Sequence, residues 1–343
     1  MQRRLLLRGH CDSYSGYGQL TCGLIRGLRD YGFDLVVRPT MVQEQFGPLP
    51  EDIKGLIWQN EPAIHRELFV HLPRSPYPGR KSILWFTMWE STRIKPSWVD
   101  LLNDSTAVVV PNDWNASTFN AAGVNKPIHK VPLFIDRDIY HYREMNKSGP
   151  FIFGCGGRTE SGGCRKGLNR VIDLFKAAFP DDNGVQLWIK SLPDHNIKAP
   201  LDSRIRIFKD YLSEDEMAKW YGRIHCFVSV STSEGWGFMQ CQSMSVGRPL
   251  ISTRYSGVAE YFDESCGFPL DYTFEQSTDI YNDMGIWSVP TDESVIRSMR
   301  IARGNLDLCV EKGWIASKRV SSFTIDNTMR LLVPLIDKYD IAR

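Results

Sequence analysis

LLLRGHCDSYSGYGQLTCGLIRGLRDYGFDLVVR, residues 5–38, reads as strand, glycine loop, helix and strand. LLLRG is a short apolar run and SGYG breaks it. Leu20, Leu24, Ile25 and Leu28 then recur on one helical face until Gly32 stops the helix, and DLVVR resumes the sheet. This is one βαβ unit. Working outward, GLIWQ, SILWFTMWE, AVVVPN and IHKVPLF are further short apolar runs between polar or helical segments, the alternation of a parallel sheet covered by helices. The first half is therefore expected to be doubly wound.

The pattern then restarts. DRDIYHYREMNKSGP, residues 136–150, is polar and patternless and reads as a linker, after which FIFGCGG begins a second series. Leu168, Val171, Ile172, Phe175 and Phe179 form one helical stripe, followed by the strands VQLWIK and RIRIF. SEDE at 213–216 is a capping box: Ser213 accepts from the amide of Glu216 while Glu216 reaches back, starting a helix that ends near Gly222. HCFVSVS and PLIST are the next strands. The expected fold is α/β, two Rossmann-like doubly wound parallel-sheet domains facing across a cleft, at 1–140 and 150–321. The stretch 322–343, with a kink expected at Pro334, is a candidate to pack back on the first domain.

A chain of 343 residues, 42% hydrophobic, is long enough for two cores. Its 41 Lys and Arg nearly cancel 40 Asp and Glu, so no long-range field favours a polyanion. The eight cysteines are scattered without zinc spacing and read as reduced, mostly buried thiols, which suits the cytoplasm. The N-terminal apolar run is too short for a secretory or transmembrane segment. Arg3, Arg4, Arg8, Arg26 and Arg29 read either as a solvated basic face or as a peripheral membrane contact.

SEGWGFMQCQ, residues 233–242, places an acid at the end of a buried strand and before a helix. Gly235 and Gly237 let the backbone approach a ligand, and the unpaired amides at the helix start attract phosphate. Glu234 would repel that anion, so it is expected to meet hydroxyls, as a sugar offers. Gln242 both donates and accepts and matches a vicinal diol such as a ribose, although an ordinary surface amide is the simpler reading of it alone.

Cations are expected opposite. GCGGRTESGGCRKG supplies Arg158, Arg165 and Lys166. At an effective dielectric near 20, a cation about 4 Å from a phosphate gains roughly 4 kcal/mol before desolvation. Such contacts can offset charge growing on a diphosphate leaving group without a metal. In the first domain, Gly16 and Gly18 of SGYG are either a phosphate or acceptor approach or a plain tight turn. Their spacing is no dinucleotide fingerprint, and the next strand lacks a ribose-binding acid, which disfavours a nicotinamide dehydrogenase. Asp136-Arg137-Asp138 resembles a metal-holding D-x-D, but its place after VPLFI favours turn or capping acids, and no metal is expected.

With these residues in view, the sequence resembles the retaining GT-B glycosyltransferases of family 4. Their phrase pairs a glutamate with a second one eight positions on; here it reads EGWGFMQCQSMSVGRPLI, with Glu234 first and Gln242 in the second place. SGYG, TMWESTRIKPSW, VVVPNDWNASTF, KPIHKVPLFID and STRYSGVAEY, with Gly257 and Glu260, also resemble family phrases. The resemblance implies that Glu234 contacts the donor sugar and that Arg158 and Lys166 contact the diphosphate. Gly235, Trp236, Gly237 and Phe238 would line the donor site with Gln242. An amide at 242 loses a charge-assisted bond to the ribose and is expected to weaken donor binding by about 1 kcal/mol. Glu90 is either an acceptor-side acid or structural. His10 and His65 are candidates for a helper histidine but read better as structural, and Tyr211 and Leu212 are proposed to flank the base.

The expected activity is transfer of a hexosyl or pentosyl group, with retention, from a nucleotide-diphosphate sugar to an acceptor hydroxyl. The acceptor could be glycan, lipid-linked, protein or nucleic acid. The competing readings are a sugar-nucleotide-binding module with weak turnover and a nucleic-acid-modifying glycosyltransferase.

Overall fold

A computed structural model of the chain describes residues 3–12, 14–40, 49–57, 64, 66–71, 82–157, 165–193, 197, 201–278, 281 and 284–339. They divide into two compact units, one of residues 1–89, 93–134 and 323–343, the other of residues 90–92 and 135–322.

The first unit opens with β1 (Arg3–Gly9), α1 (Gly16–Asp30) and β2 (Phe33–Pro39). The buried stripe of α1 holds Leu20, Leu24, Ile25 and Leu28, the positions the period-3.6 pattern requires. The short α2 (Glu51–Lys54) leads to β3 (Arg66–Val70) and β4 (Ser82–Phe86). Then come α3 (Pro96–Asn103), β5 (Ala107–Val110), α4 (Asp113–Ala121) and β6 (Ile128–Lys130). The six strands are parallel in the order β2-β1-β3-β4-β5-β6. Of the expected strand GLIWQ, the described part contributes an isolated bridge from Ile57 to Val37. The sequence reading passed over β3, whose Glu67 is buried and ion-paired to Arg8 on β1, while the Arg8 guanidinium lies 4.3 Å from the Phe69 ring centroid.

The second unit runs β7 (Phe151–Gly156), α5 (Leu168–Ala178), β8 (Val185–Lys190), β9 (Ile205–Phe208), α6 (Glu214–Arg223) and β10 (Cys226–Val228). The capping box at the start of α6 is formed by Ser213 and Glu216 as the sequence indicated. After β10 come α7 (Phe238–Ser245), β11 (Leu250–Thr253), a 3-10 turn at Ser256–Glu260, and β12 (Gly267–Leu270). A hairpin of β13 (Tyr272–Gln276) and β14 (Ile286–Pro290) precedes α8 (Asp292–Gly304) and α9 (Leu306–Arg319). The main sheet is parallel, in the order β12-β11-β10-β7-β8-β9, and β13 pairs antiparallel with β14 outside it. Its core joins Phe153, Val171, Phe175, Leu187, Val228 and Ile251.

The polar stretch expected as a linker belongs to this unit. Asp136 Oδ1 accepts from the amides of Asp138 and Ile139, so this acid closes a turn. The Arg143 amide donates to Val246 O, and buried Arg248 donates to the carbonyls of Arg143, Tyr221 and Gly222. Backbone carbonyls thus satisfy a buried guanidinium, and a segment without apolar periodicity is held in place.

The chain then returns to the first unit through α10 (Ile325–Lys338), which continues through Pro334. Gly27 of α1 admits Ile325 and Met329 where a Cβ would collide, and Arg3 Nη2 meets Asp337 Oδ2 at 2.6 Å.

Candidate functional site

In the second sheet the strand order reverses between β7 and β10, and in open α/β sheets the loops leaving such a pair of strands are the place for a ligand. The loop after β7 carries Arg165 and Lys166, and the loop after β10 carries Glu234. The Thr232 amide donates to Arg165 O at 3.0 Å, joining the two loops through their backbones. Gly167, before α5, leaves room for Val230 where a side chain would collide.

Lys166 Nζ lies 2.5 Å from Glu234 Oε1 and 2.7 Å from Oε2. Arg165 Nη1 donates to Oε2 at 3.2 Å and to Ser233 O at 2.8 Å. Gln240 Nε2 donates to Glu234 Oε1 at 3.1 Å and to Ser229 Oγ at 3.0 Å. Glu234 is only 6% exposed. Burial alone would push its carboxyl up, but the charges of Lys166 and Arg165, with hydrogen bonds from Lys166 and Gln240, hold it down at about 2.

The backbone around Glu234 is equally constrained. Its amide donates to Ser256 Oγ at 2.9 Å, and the Gly257 amide donates to its carbonyl at 2.8 Å. A Cβ on Gly257 would run into Gly235 O and Glu234 O, so only glycine allows this approach. Trp236 is buried against Tyr261, ring centroids 5.2 Å apart, and Tyr261 Oη donates to the carbonyls of Trp236 and Gly237. Gly237, at φ 91°, turns the chain into α7, whose first residue is the half-buried Phe238.

Glu90 belongs to the same unit. Tyr281 Oη donates to Glu90 Oε2 at 2.9 Å, Trp287 Nε1 donates to Glu90 O at 2.9 Å, and the Ile286 amide donates to Thr92 Oγ1 at 3.0 Å. Loss of solvation raises the Glu90 carboxyl against the pull of Arg165 and the Tyr281 hydrogen bond, while the nearby Glu234 charge adds to the rise. The charges of Arg165, Lys166, Glu234 and Glu90 therefore act on one another.

The structure brings Glu234 and Lys166 together with Arg165, and Glu90 within reach of their charges. Arg158 and His65 lie outside the described residues. Gln242 is buried on α7 and its Oε1 accepts from Tyr221 Oη of α6 at 3.2 Å. The glutamine that touches Glu234 is Gln240; the eight-residue spacing drew attention to 242, whereas the residue two positions earlier points to a different side of the helix. Tyr211 and Leu212 sit between β9 and α6, Tyr211 exposed.

In the first unit, Gly16 begins α1, and the Gly18 amide donates to Ser15 Oγ at 2.9 Å. A Cβ on Gly18 would collide with Asp12, which accepts from the amides of Tyr14 and Ser15. Asp12 thus holds the loop through that loop's own backbone amides. The buried His10 and His71, at the ends of β1 and β3, pack at 4.1 Å between ring centroids, with Tyr17 4.8 Å from His71. Among the described residues no group of three His, Cys, Asp or Glu is placed to hold a metal, and no helix is long and apolar enough to cross a membrane.

Residues 151–276 match the family described as Glycosyl transferases group 1. No curated protein sequence matches the chain significantly. Among solved structures, the chain is similar to sucrose-phosphate synthase from Thermosynechococcus elongatus, at 11% identity and TM-score 0.73 over 100% of both chains. It is also similar to WaaG, a glycosyltransferase involved in lipopolysaccharide biosynthesis, at 12% identity and TM-score 0.68 over 98% of this chain and 100% of that one. The pneumococcal O-GlcNAc transferase GtfA, solved in complex with UDP and GlcNAc, is matched at 12% identity and TM-score 0.54 over 75% of this chain and 53% of that one. The two doubly wound parallel sheets, six strands each, have the GT-B fold that these structures share.

Proposed function

We propose that the protein is a retaining glycosyltransferase that moves a hexosyl or pentosyl group from a nucleotide-diphosphate sugar to an acceptor hydroxyl. The observation that carries this reading is the buried Glu234 carboxylate clasped by Lys166 and Arg165 at the switch point of a sheet matching Glycosyl transferases group 1. The diphosphate replaces the carboxylate as partner of the two cations, with Arg158 on the same glycine-rich loop and the α7 amides adding to it. Glu234, released from Lys166, then accepts hydrogen bonds from the sugar hydroxyls. Gly235, Trp236, Gly237 and Phe238 shape the floor, and Tyr211 and Leu212 flank the base.

In the reaction the bond from the anomeric carbon to the β-phosphate oxygen breaks and the acceptor oxygen bonds that carbon on the same face. The acceptor proton goes to the departing phosphate oxygen, so no enzyme nucleophile is needed. Fixed cations stabilise the growing charge, which leaves no requirement for a metal, and Glu90 orients the acceptor hydroxyl. The buried thiols suit a cytoplasmic setting.

A second reading, a sugar-nucleotide-binding module with weak turnover, is favoured by Gln242, an amide committed to Tyr221 where relatives by resemblance carry a charge. Incubation with uridine, guanosine and adenosine diphosphate sugars, with mono- and oligosaccharide acceptors, separates the two. Release of nucleoside diphosphate that depends on acceptor and disappears in Glu234→Ala supports transfer; binding without release supports the module.

A further inference from the structure

The β13–β14 hairpin stands outside the main sheet, yet it is tied to the Glu234 loop. Ser288 of β14 donates through both its amide and its hydroxyl to Thr232 O, two residues before Glu234. Phe274 is the direct cross-strand partner of Ser288, so the two side chains lie on one face of the hairpin. On that face Tyr272, Phe274 and Tyr255 form an aromatic cluster, with ring centroids 5.5 Å apart for Tyr272 and Phe274, 5.6 Å for Tyr255 and Phe274, and 5.8 Å for Tyr255 and Tyr272. Tyr255 immediately precedes Ser256 and Gly257, the two residues that bond the Glu234 backbone. Phe274 is 56% exposed, whereas Ser288 opposite it is fully buried.

An exposed ring packed against two tyrosines and flanked by the polar Thr273 and Glu275 is well suited to a sugar, which pairs apolar C–H faces with hydroxyls. The C–H face of a pyranose carries slight positive charge and stacks on the negative face of an aromatic ring, while its hydroxyls remain in water. We propose that Tyr255, Tyr272 and Phe274 form a stacking platform for a further ring of the acceptor, which makes the acceptor an oligosaccharide of two or more sugars. The ligand class rests on the sugar-transfer reading; the platform rests on the hairpin.

The test is saturation-transfer NMR on the full chain, without donor, against a panel of neutral oligosaccharides of two to six sugars and their parent monosaccharides. An oligosaccharide is expected to bind more tightly than its monosaccharide, with saturation passing from aromatic protons. Phe274→Ala weakens it about threefold to tenfold, and Phe274→Trp restores it. The thermal midpoint and the affinity for nucleoside diphosphates stay unchanged in both variants. The platform is overturned if no panel member binds, if Phe274→Ala binds equally well, or if that substitution instead abolishes self-association in ultracentrifugation or binding to phosphatidylglycerol vesicles. Because donor is absent, a failure to transfer sugar leaves this result standing, and a failure here leaves donor turnover untouched.

Discussion

Lys166 Nζ is within 2.7 Å of both carboxylate oxygens of Glu234, a bidentate contact between residues 68 positions apart in the chain. A cation and an anion for which the family resemblance implies different parts of one ligand are each other's partner. Arg165 shares the same carboxylate, so two cations meet one anion, and in the function proposed above donor binding is an exchange of these ion pairs.

The exchange has a pH signature. A carboxyl held at about 2 when folded and near its ordinary value when unfolded stabilises the protein above pH 4.5, and that stability is lost as pH falls toward 2. Burial of the Lys166 ammonium, which lowers its own amine, offsets part of this gain. Urea unfolding of wild type and Glu234→Gln is expected to differ at pH 7 and to converge only below about pH 2; a difference independent of pH would contradict the pairing.

Lys190, at the end of β8, donates to the carbonyls of Ser191 and Asp210, and burial lowers its amine to about 8 despite the Asp210 charge. The folded state therefore binds fewer protons than the unfolded state between pH 8 and 10.5, and stability rises with pH across that window. Relative to Lys190→Met, the wild type is expected to gain about 2 kcal/mol between pH 8 and pH 10 in urea unfolding.

The buried pair of Arg8 and Glu67 crosses neighbouring strands of the first sheet. Glu67→Ala strands a guanidinium and is expected to cost about 3–5 kcal/mol, seen as a lower urea midpoint. The double variant Arg8→Met, Glu67→Leu should recover most of that loss.

Gly257→Ala puts a methyl group into the backbone that carries Glu234. A shift of that loop by about an ångström is expected to reduce sugar transfer about 100-fold while the chain stays folded by circular dichroism.

Periodicity revealed most of the sheets because β4, β5 and β7 are near-continuous apolar runs, as strands covered on both faces must be. It failed for β3, where the buried Glu67 breaks the run and is intelligible only once Arg8 is seen beside it. It also failed for the hairpin, since β13 is largely exposed and lacks inward alternation. In the site, Glu234 and Lys166 were legible from glycines and charge. Gln240 was not, because the eight-residue spacing drew attention to Gln242, which lies two positions on and on a different side of α7, against Tyr221.

The most direct measurement is calorimetric titration of wild type and Glu234→Ala with a nucleoside diphosphate and with its sugar conjugate, using the base that raises the wild-type thermal midpoint. The account predicts that the variant binds the nucleoside diphosphate at least as tightly as wild type, because the cations are freed, but loses the added affinity that the sugar gives. A variant that holds the sugar conjugate as tightly as wild type and still transfers it would contradict the account.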